Sequence, residues 1–358
     1  MSPAPSPIDW DRAERVALGI AARRRPPATE PGFDASEVAA AVAATVPAVE
    51  DAIEAVTGLR SSLGRAEVQF VDRPTWIRAN LASFRNLLAP LLEQWGDKAA
   101  GSPTAAGIGR QVAGAEVGAL LGWMSTRVLG QYDILVGREP DDEAVYLVAP
   151  NLADIEQRYG FDTVEFRTWV LLHELTHRAQ FTGVPWMREH FTGLVEQSLA
   201  FANPDLAAFT DALKAALRNR REAGAHVRDG GVLGLLAVPE QRAVMGQVGG
   251  LMSLLEGHGD ITMTRAAGDL APNAERFERI LRERRRTANP LSRTVMRLAG
   301  IEAKLNQYAA GARFIAVIED AEGERAVDRC WRSAEHLPTL EDVRVPANWM
   351  ARMAALDG

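Results

Sequence analysis

Very little of this chain can be β-strand. YLVAP, residues 146–150, is the clearest candidate, and Pro150 helps to stop it. VQFVDRPT, residues 68–75, reads as a connector or a short strand, and RFIAVIED, 313–320, as a strand or the end of a helix. Nearly all the rest carries apolar residues at helical spacing. A doubly wound sheet or a barrel needs many more strands. The expected fold class is therefore mostly α with a small β element.

The helices can be placed coarsely. One begins near Asp9 with Val16 and Ile20 on one face, and RRRPPATEPG, residues 23–32, ends it. A second runs from Ser36 through an alanine-rich stretch in which Pro47 marks a break or kink. A third spans Trp76–Glu93, and a fourth residues 106–130, where Gly114, Gly118 and Gly122 recur every fourth residue. Small residues at that spacing let a neighbouring helix approach closely. NLADIEQRYG reads as a short helical turn. Asp162, with Glu165 three positions on, is a reasonable cap for the next helix, which GVPW at 183–186 closes. Further helices are expected over MREHFTGLVEQSLAF, from Asn203 through Leu217, from VPEQ through QVGGLMSLLE, over 272–286 and 291–310, and after Pro346. Residues 1–140 are expected as an N-terminal helical region and 141–358 as a metal-binding region with C-terminal helices, or the two as one compact body.

Composition excludes some classes of function. A formal net charge of -7 and only short basic runs, Arg23–Arg25 and Arg282–Arg286, do not make a phosphate-reading surface, so no nucleic-acid partner is expected. A single cysteine, Cys330, rules out an intrachain disulfide and a cysteine-rich zinc site. The most membrane-like segment, VGALLGWMST, is ten residues long, against the about 20 apolar residues of a bilayer crossing. The first residues hold no apolar core followed by a cleavage site, and a cytoplasmic location is expected.

The chemistry concentrates in WVLLHELTHRAQF, residues 169–181. At 3.6 residues per turn, His173 and His177 project from nearly one face, where two neutral imidazoles can hold one divalent ion. Glu174 stands beside the first histidine, placed to take a proton from water without being a ligand. Zinc brings the pKa of water toward about 7, and a nearby carboxylate then serves as general base. The flanking Val170, Leu171, Leu172 and Leu175 provide apolar anchorage for such a helix.

A third ligand has to come from elsewhere. Gln180 and Gly183 stand where the metzincin pattern needs glycine and histidine, so that pattern fails. Glu189, Glu196 and Glu256 are the acidic alternatives. Glu256 is favoured because it emerges from the apolar helix LMSLLEGHGD, where a carboxylate needs a counter-charge or a metal. Asp260, four residues on, can then orient a ligating imidazole through its second nitrogen. Gly257 and Gly259 oppose this arrangement if they end the helix. His258 and Tyr308 are candidate donors to a developing oxyanion, YLVAP a candidate edge for a peptide to pair with, and Arg178 and Arg188 weaker candidates for binding a carboxylate.

The blocks DRPTWIRANLASF, RVLGQYD, YLVAPNL, FRTWVLLHELTHRAQF, VPWMREH, LMSLLEGHGD, KLNQYAAGARF and LPTLEDVRVPANW run from residue 72 to 349. Together they resemble a family of zincin-like, mainly actinobacterial proteins described as zinc-dependent metallopeptidases or hydrolases. Some members are labelled as associated with deazaflavin-coenzyme biosynthesis. The resemblance implies a zincin-like fold of the glutamate-ligand class, with zinc as cofactor, His173, His177 and Glu256 as its ligands, and Glu174 as general base. No glycine fingerprint or phosphate cradle is present, so a bound deazaflavin is not expected. The expected function is hydrolysis of a peptide or related amide. The alternatives are a zincin scaffold retained for binding or assembly, and a small-molecule amidohydrolase of coenzyme metabolism.

Overall fold

Glycines at 114, 118 and 122 present a strip of bare backbone, and the first helix lies against it. The computed structural model describes residues 6–28, 34–98, 103–134, 143–200, 239–286 and 301–357. The expected helix from Asn203 and the end of 291–310 before Ile301 fall wholly or partly outside them. Helix α1 (Trp10–Arg23) is capped by Asp9, whose Oδ1 accepts from Arg12 N at 2.9 Å. A Cβ at Gly118 of α4 (Pro103–Ser125) would lie 2.3 Å from the Ala13 carbonyl oxygen and 2.9 Å from Val16 Cβ. The predicted Val16–Ile20 face is thus the one that meets α4, since a Cβ at Gly122 would fall 2.9 Å from Ile20 Cβ.

By contact, the chain divides into two units. The first comprises residues 1–53, 60–178 and 266–277. It contains α1, most of α2 (Ala35–Thr57), β1 (Val68–Val71), α3 (Arg73–Lys98), α4, β2 (Gly130–Asp133), β3 (Ala144–Val148), α5 (Ala149–Tyr159) and most of α6 (Thr163–Gly183), through Arg178. Helix α2 continues through Pro47, where the sequence predicts a break or kink. The strands form one sheet in the order β1-β3-β2, β1 parallel and β2 antiparallel to β3. Strand β3, the central one, is buried at all five positions, so both of its faces are covered. Its side chains join a core with Trp10, Val71, Trp76, Ile77, Leu81 and Leu121.

Within this unit, Asp162 caps α6 as predicted, accepting from Glu165 N at 2.9 Å. Glu165 does not reach back to close a capping box; its carboxylate accepts instead from Asn273. Phe161, Phe166, Trp169 and Phe277 pack ring against ring with centroids 4.7–6.0 Å apart. Arg167 of α6 makes a buried bidentate pair with Glu156 of α5, at 2.7 and 2.9 Å. Burial pushes the Glu156 carboxyl up, against the pull of Arg167.

The second unit comprises residues 54–59, 179–265 and 278–358. It holds the end of α6, then α7 (Met187–Ala200), nearly all of α8 (Pro239–Ala266), most of α9 (Ala274–Arg286), α10 (Ile301–Glu322), α11 (Leu340–Arg344) and α12 (Pro346–Asp357). RFIAVIED belongs to α10, the helical alternative of the two offered by its sequence. Helix α8 also runs unbroken through Gly257 and Gly259, so the expected obstacle is absent. At Gly257 it meets α10 backbone to backbone: a Cβ there would lie 2.3 Å from the carbonyl carbon of Gly311. Leu251, Leu254 and Leu255 of α8 are buried in this unit, as are Phe314, Ile315 and Ile318 of α10. Trp349 closes edge-on against Phe314 at 5.6 Å. Among the described residues, no helix is long and apolar enough to cross a membrane.

Candidate metal centre

From Phe166 to Thr182 every residue of α6 is buried except two, His173 and His177, which are partly exposed. A helix enclosed almost all round yet open at its two histidines is unlike a solvated amphipathic helix. The rings stand one turn apart, edge to face, with centroids 4.6 Å apart and their Nε2 atoms 3.1 Å apart. Two nitrogens bound to one tetrahedral zinc at about 2.0–2.1 Å are about 3.3 Å apart, so the pair fits a shared ion.

Glu256 of α8 completes the cluster. One donor atom from each of His173, His177 and Glu256 lies within 4.8 Å of the others, and Glu256 is buried. Two imidazoles and a carboxylate form a donor set suited to zinc, and three protein ligands leave a coordination position for substrate or water. Among the described residues this is the one such group, and Glu189 and Glu196, both on α7, stand outside it.

Glu174 is 93% buried and points at strand β2. Its Oε2 accepts from the main-chain N–H of Tyr132 at 2.9 Å. Gly130 lies close by: a Cβ there would be 2.7 Å from Glu174 Cγ. Sequence reasoning missed both contacts. Residue 130 fell at the end of an expected helix, and GQYD shows no alternation to mark a strand. The expected edge, YLVAP, instead lies in the central strand through Val148, closed on both sides, and β1 and β2 are the two edges.

The remaining candidates occupy different surroundings. Asp260 stands one turn beyond Glu256 on α8, and its carbonyl accepts from Thr264 Oγ1 at 3.0 Å. His258 is buried, edge-on to Trp331 with centroids 5.0 Å apart. Gln180 Nε2 lies 2.9 Å from His258 Nδ1 and donates to Leu255 O at 3.1 Å. An amide nitrogen can only donate, so Nδ1 accepts and the imidazole keeps its proton on Nε2. Gln180 is a further residue that sequence reading passed over, although its place seven residues after His173 puts it on the histidine face. Tyr308 lies on α10 outside the described side chains. Arg178 is buried in internal ion pairs with Glu143 and Glu50, at 2.7 Å from its Nε and 2.9 Å from its Nη1. Those carboxylates are its partners in the fold. Arg188 stands on α7.

The model of the zincin-like metallopeptidase family matches residues 8–350. The chain belongs to that family. A similar crystal structure, from Chloroflexus aurantiacus, is provisionally described as a hydrolase with a novel fold; it is 30% identical, with a TM-score of 0.68 over 97% of this chain and 99% of that one. No curated protein matches. Zincin-like membership and the His-His-Glu cluster together support a zinc-dependent hydrolase.

Proposed function

We propose that this protein is a zinc metallopeptidase that hydrolyses peptide or closely related amide bonds. The observation that carries the reading is the meeting of His173, His177 and Glu256 within 4.8 Å. These three residues would hold the ion. Zinc held there supplies a Lewis acid for the substrate carbonyl and makes water a better acid.

Glu174 does the proton work. Its carboxylate takes a proton from water as the oxygen attacks the amide carbon, and returns it to the nitrogen as the C–N bond breaks. Burial keeps bulk water from competing for that proton. We assign His258 and Tyr308 as donors to the developing oxyanion, and Asp260 as the carboxylate that orients a ligating imidazole. The Nε2–H tautomer set by Gln180 is the form in which His258 can donate.

Glu174→Gln separates these roles, because it keeps the shape and removes the base. It is expected to retain about one zinc per chain by elemental analysis and to lose peptide hydrolysis by about 100-fold or more. A fully active Glu174→Gln enzyme would refute the assignment.

A further inference from the structure

Strand β2 and helix α6 meet at the residue assigned as the base. In an antiparallel pair, residues whose main-chain groups face the partner alternate with residues whose groups face away. Leu129 O accepts from Val148 N at 2.8 Å, which makes 129, 131 and 133 the inward positions and 130 and 132 the outward ones. The N–H of Tyr132 is therefore an edge donor. At the rim of a sheet it would ordinarily go to water. Here it goes to Glu174 Oε2 at 2.9 Å, in a buried bond to an acidic side chain.

A second tie joins the same two elements one helical turn away. Tyr132 Oη donates to Glu143 Oε2 at 3.3 Å, and Arg178 Nε donates to Glu143 Oε1 at 2.7 Å. Glu174 and Arg178 are four residues apart on α6, so both ties lie on one face. At Gly130, the other outward position, a Cβ would come within 2.7 Å of both Cγ and Oε1 of Glu174. Only a residue without a side chain leaves room for the glutamate in its present rotamer.

We propose that β2 is the positioning element of the general base: the Tyr132 amide fixes one carboxylate oxygen of Glu174, and the bare backbone of Gly130 sets how deeply that carboxylate seats. This inference rests on the reading of Glu174 as the base. A glutamate has three rotatable side-chain bonds, and a base must be held within about 0.5 Å of its working place. The amide holds it at Oε2, and the backbone of Gly130 lies against its Cγ and Oε1. Gly130 and Tyr132 are positioning residues, acting on the reaction only through Glu174.

The test uses the full-length protein labelled with ¹⁵N at tyrosine only, where four tyrosines give at most four amide signals. Removing the acceptor in Glu174→Ala should speed hydrogen exchange at the Tyr132 amide by about tenfold or more, the worth of one lost buried bond, and leave the other signals in place. Gly130→Ala should displace the same Tyr132 signal and keep its zinc. Its kcat should fall about 10- to 100-fold with KM nearly unchanged, as for a base misplaced by about 1 Å. Adding Glu174→Asp, which is one methylene shorter, should restore part of that kcat, a rescue that a general loss of stability would not allow. An unchanged rate of exchange at the Tyr132 amide in Glu174→Ala overturns the proposal, as does full kcat in Gly130→Ala. If Gly130→Ala does not fold, the Glu174→Ala exchange decides alone. A wild-type protein that binds zinc but cleaves no peptide or amide refutes the hydrolase reading, and the Tyr132 exchange then still decides whether β2 holds Glu174.

Discussion

Arg178 follows the second histidine directly, and its surroundings decide its role. A buried guanidinium needs acceptors, and Arg178 has Glu143, Glu50 and the Gly64 carbonyl, the last at 2.9 Å. Truncating it leaves two part-buried carboxylates short of a counter-charge, Glu50 keeping Arg65 at 3.1 Å, and the loss of a buried pair costs up to about 3–5 kcal/mol. Arg178→Ala should therefore lower the unfolding free energy obtained from urea titration by up to that amount. Arg178→Lys should fall between, since an ammonium cannot copy the fork that reaches several acceptors. A change below about 1 kcal/mol for Arg178→Ala would mean that the network is a surface-type pairing. At this scale the sequence is legible where residue type and helical spacing together define the chemistry, as at His173, Glu174, His177 and Glu256. It is not legible at Gly130, Tyr132, Glu143 or Gln180. They act through a main-chain group, a missing side chain or a partner brought close only by folding.

Helical elements were readable because their periodicity is local. The hard positions were those where a helix former is absent for a reason outside the helix. Gly257 and Gly259 look like a stop in isolation, yet α8 continues to Ala266, and Gly257 is where α10 touches its backbone at Gly311. Strand β2 is the converse case. Its four residues carry no strand pattern, and pairing with β3 makes them extended. The contact at Gly257 lies next to Glu256, so it bears on stability and on the metal together. Gly257→Ala forces α8 and α10 apart at a cost of about 1–3 kcal/mol by thermal or urea unfolding. The same variant should bind zinc more weakly than wild type in competition with a chelating dye, because Glu256 moves with its backbone. Unchanged zinc affinity beside a clear loss of stability would show that Glu256 tolerates the shift.

For the molecule as a whole, the units draw on separated stretches of chain, and such interleaving leaves no boundary in composition. The three donor residues likewise come from helices far apart in sequence, His173 and His177 from α6 and Glu256 from α8. An unfolded chain cannot hold them together, so an ion that binds the cluster binds the native state and stabilises it by mass action. Free zinc about 1,000-fold above its dissociation constant adds about 4 kcal/mol. Calorimetry of the metal-free protein should show a lower melting temperature than the zinc-loaded form, restored on adding zinc. Glu256→Ala should melt at nearly the same temperature with and without zinc, since two imidazoles alone hold the ion far less well. Glu189→Ala and Glu196→Ala should keep the full zinc-dependent increment, because both residues stand on α7 outside the cluster. A Glu256→Ala protein that keeps the wild-type increment would remove Glu256 from the ligand set, and loss of the increment in Glu189→Ala or Glu196→Ala would name its replacement.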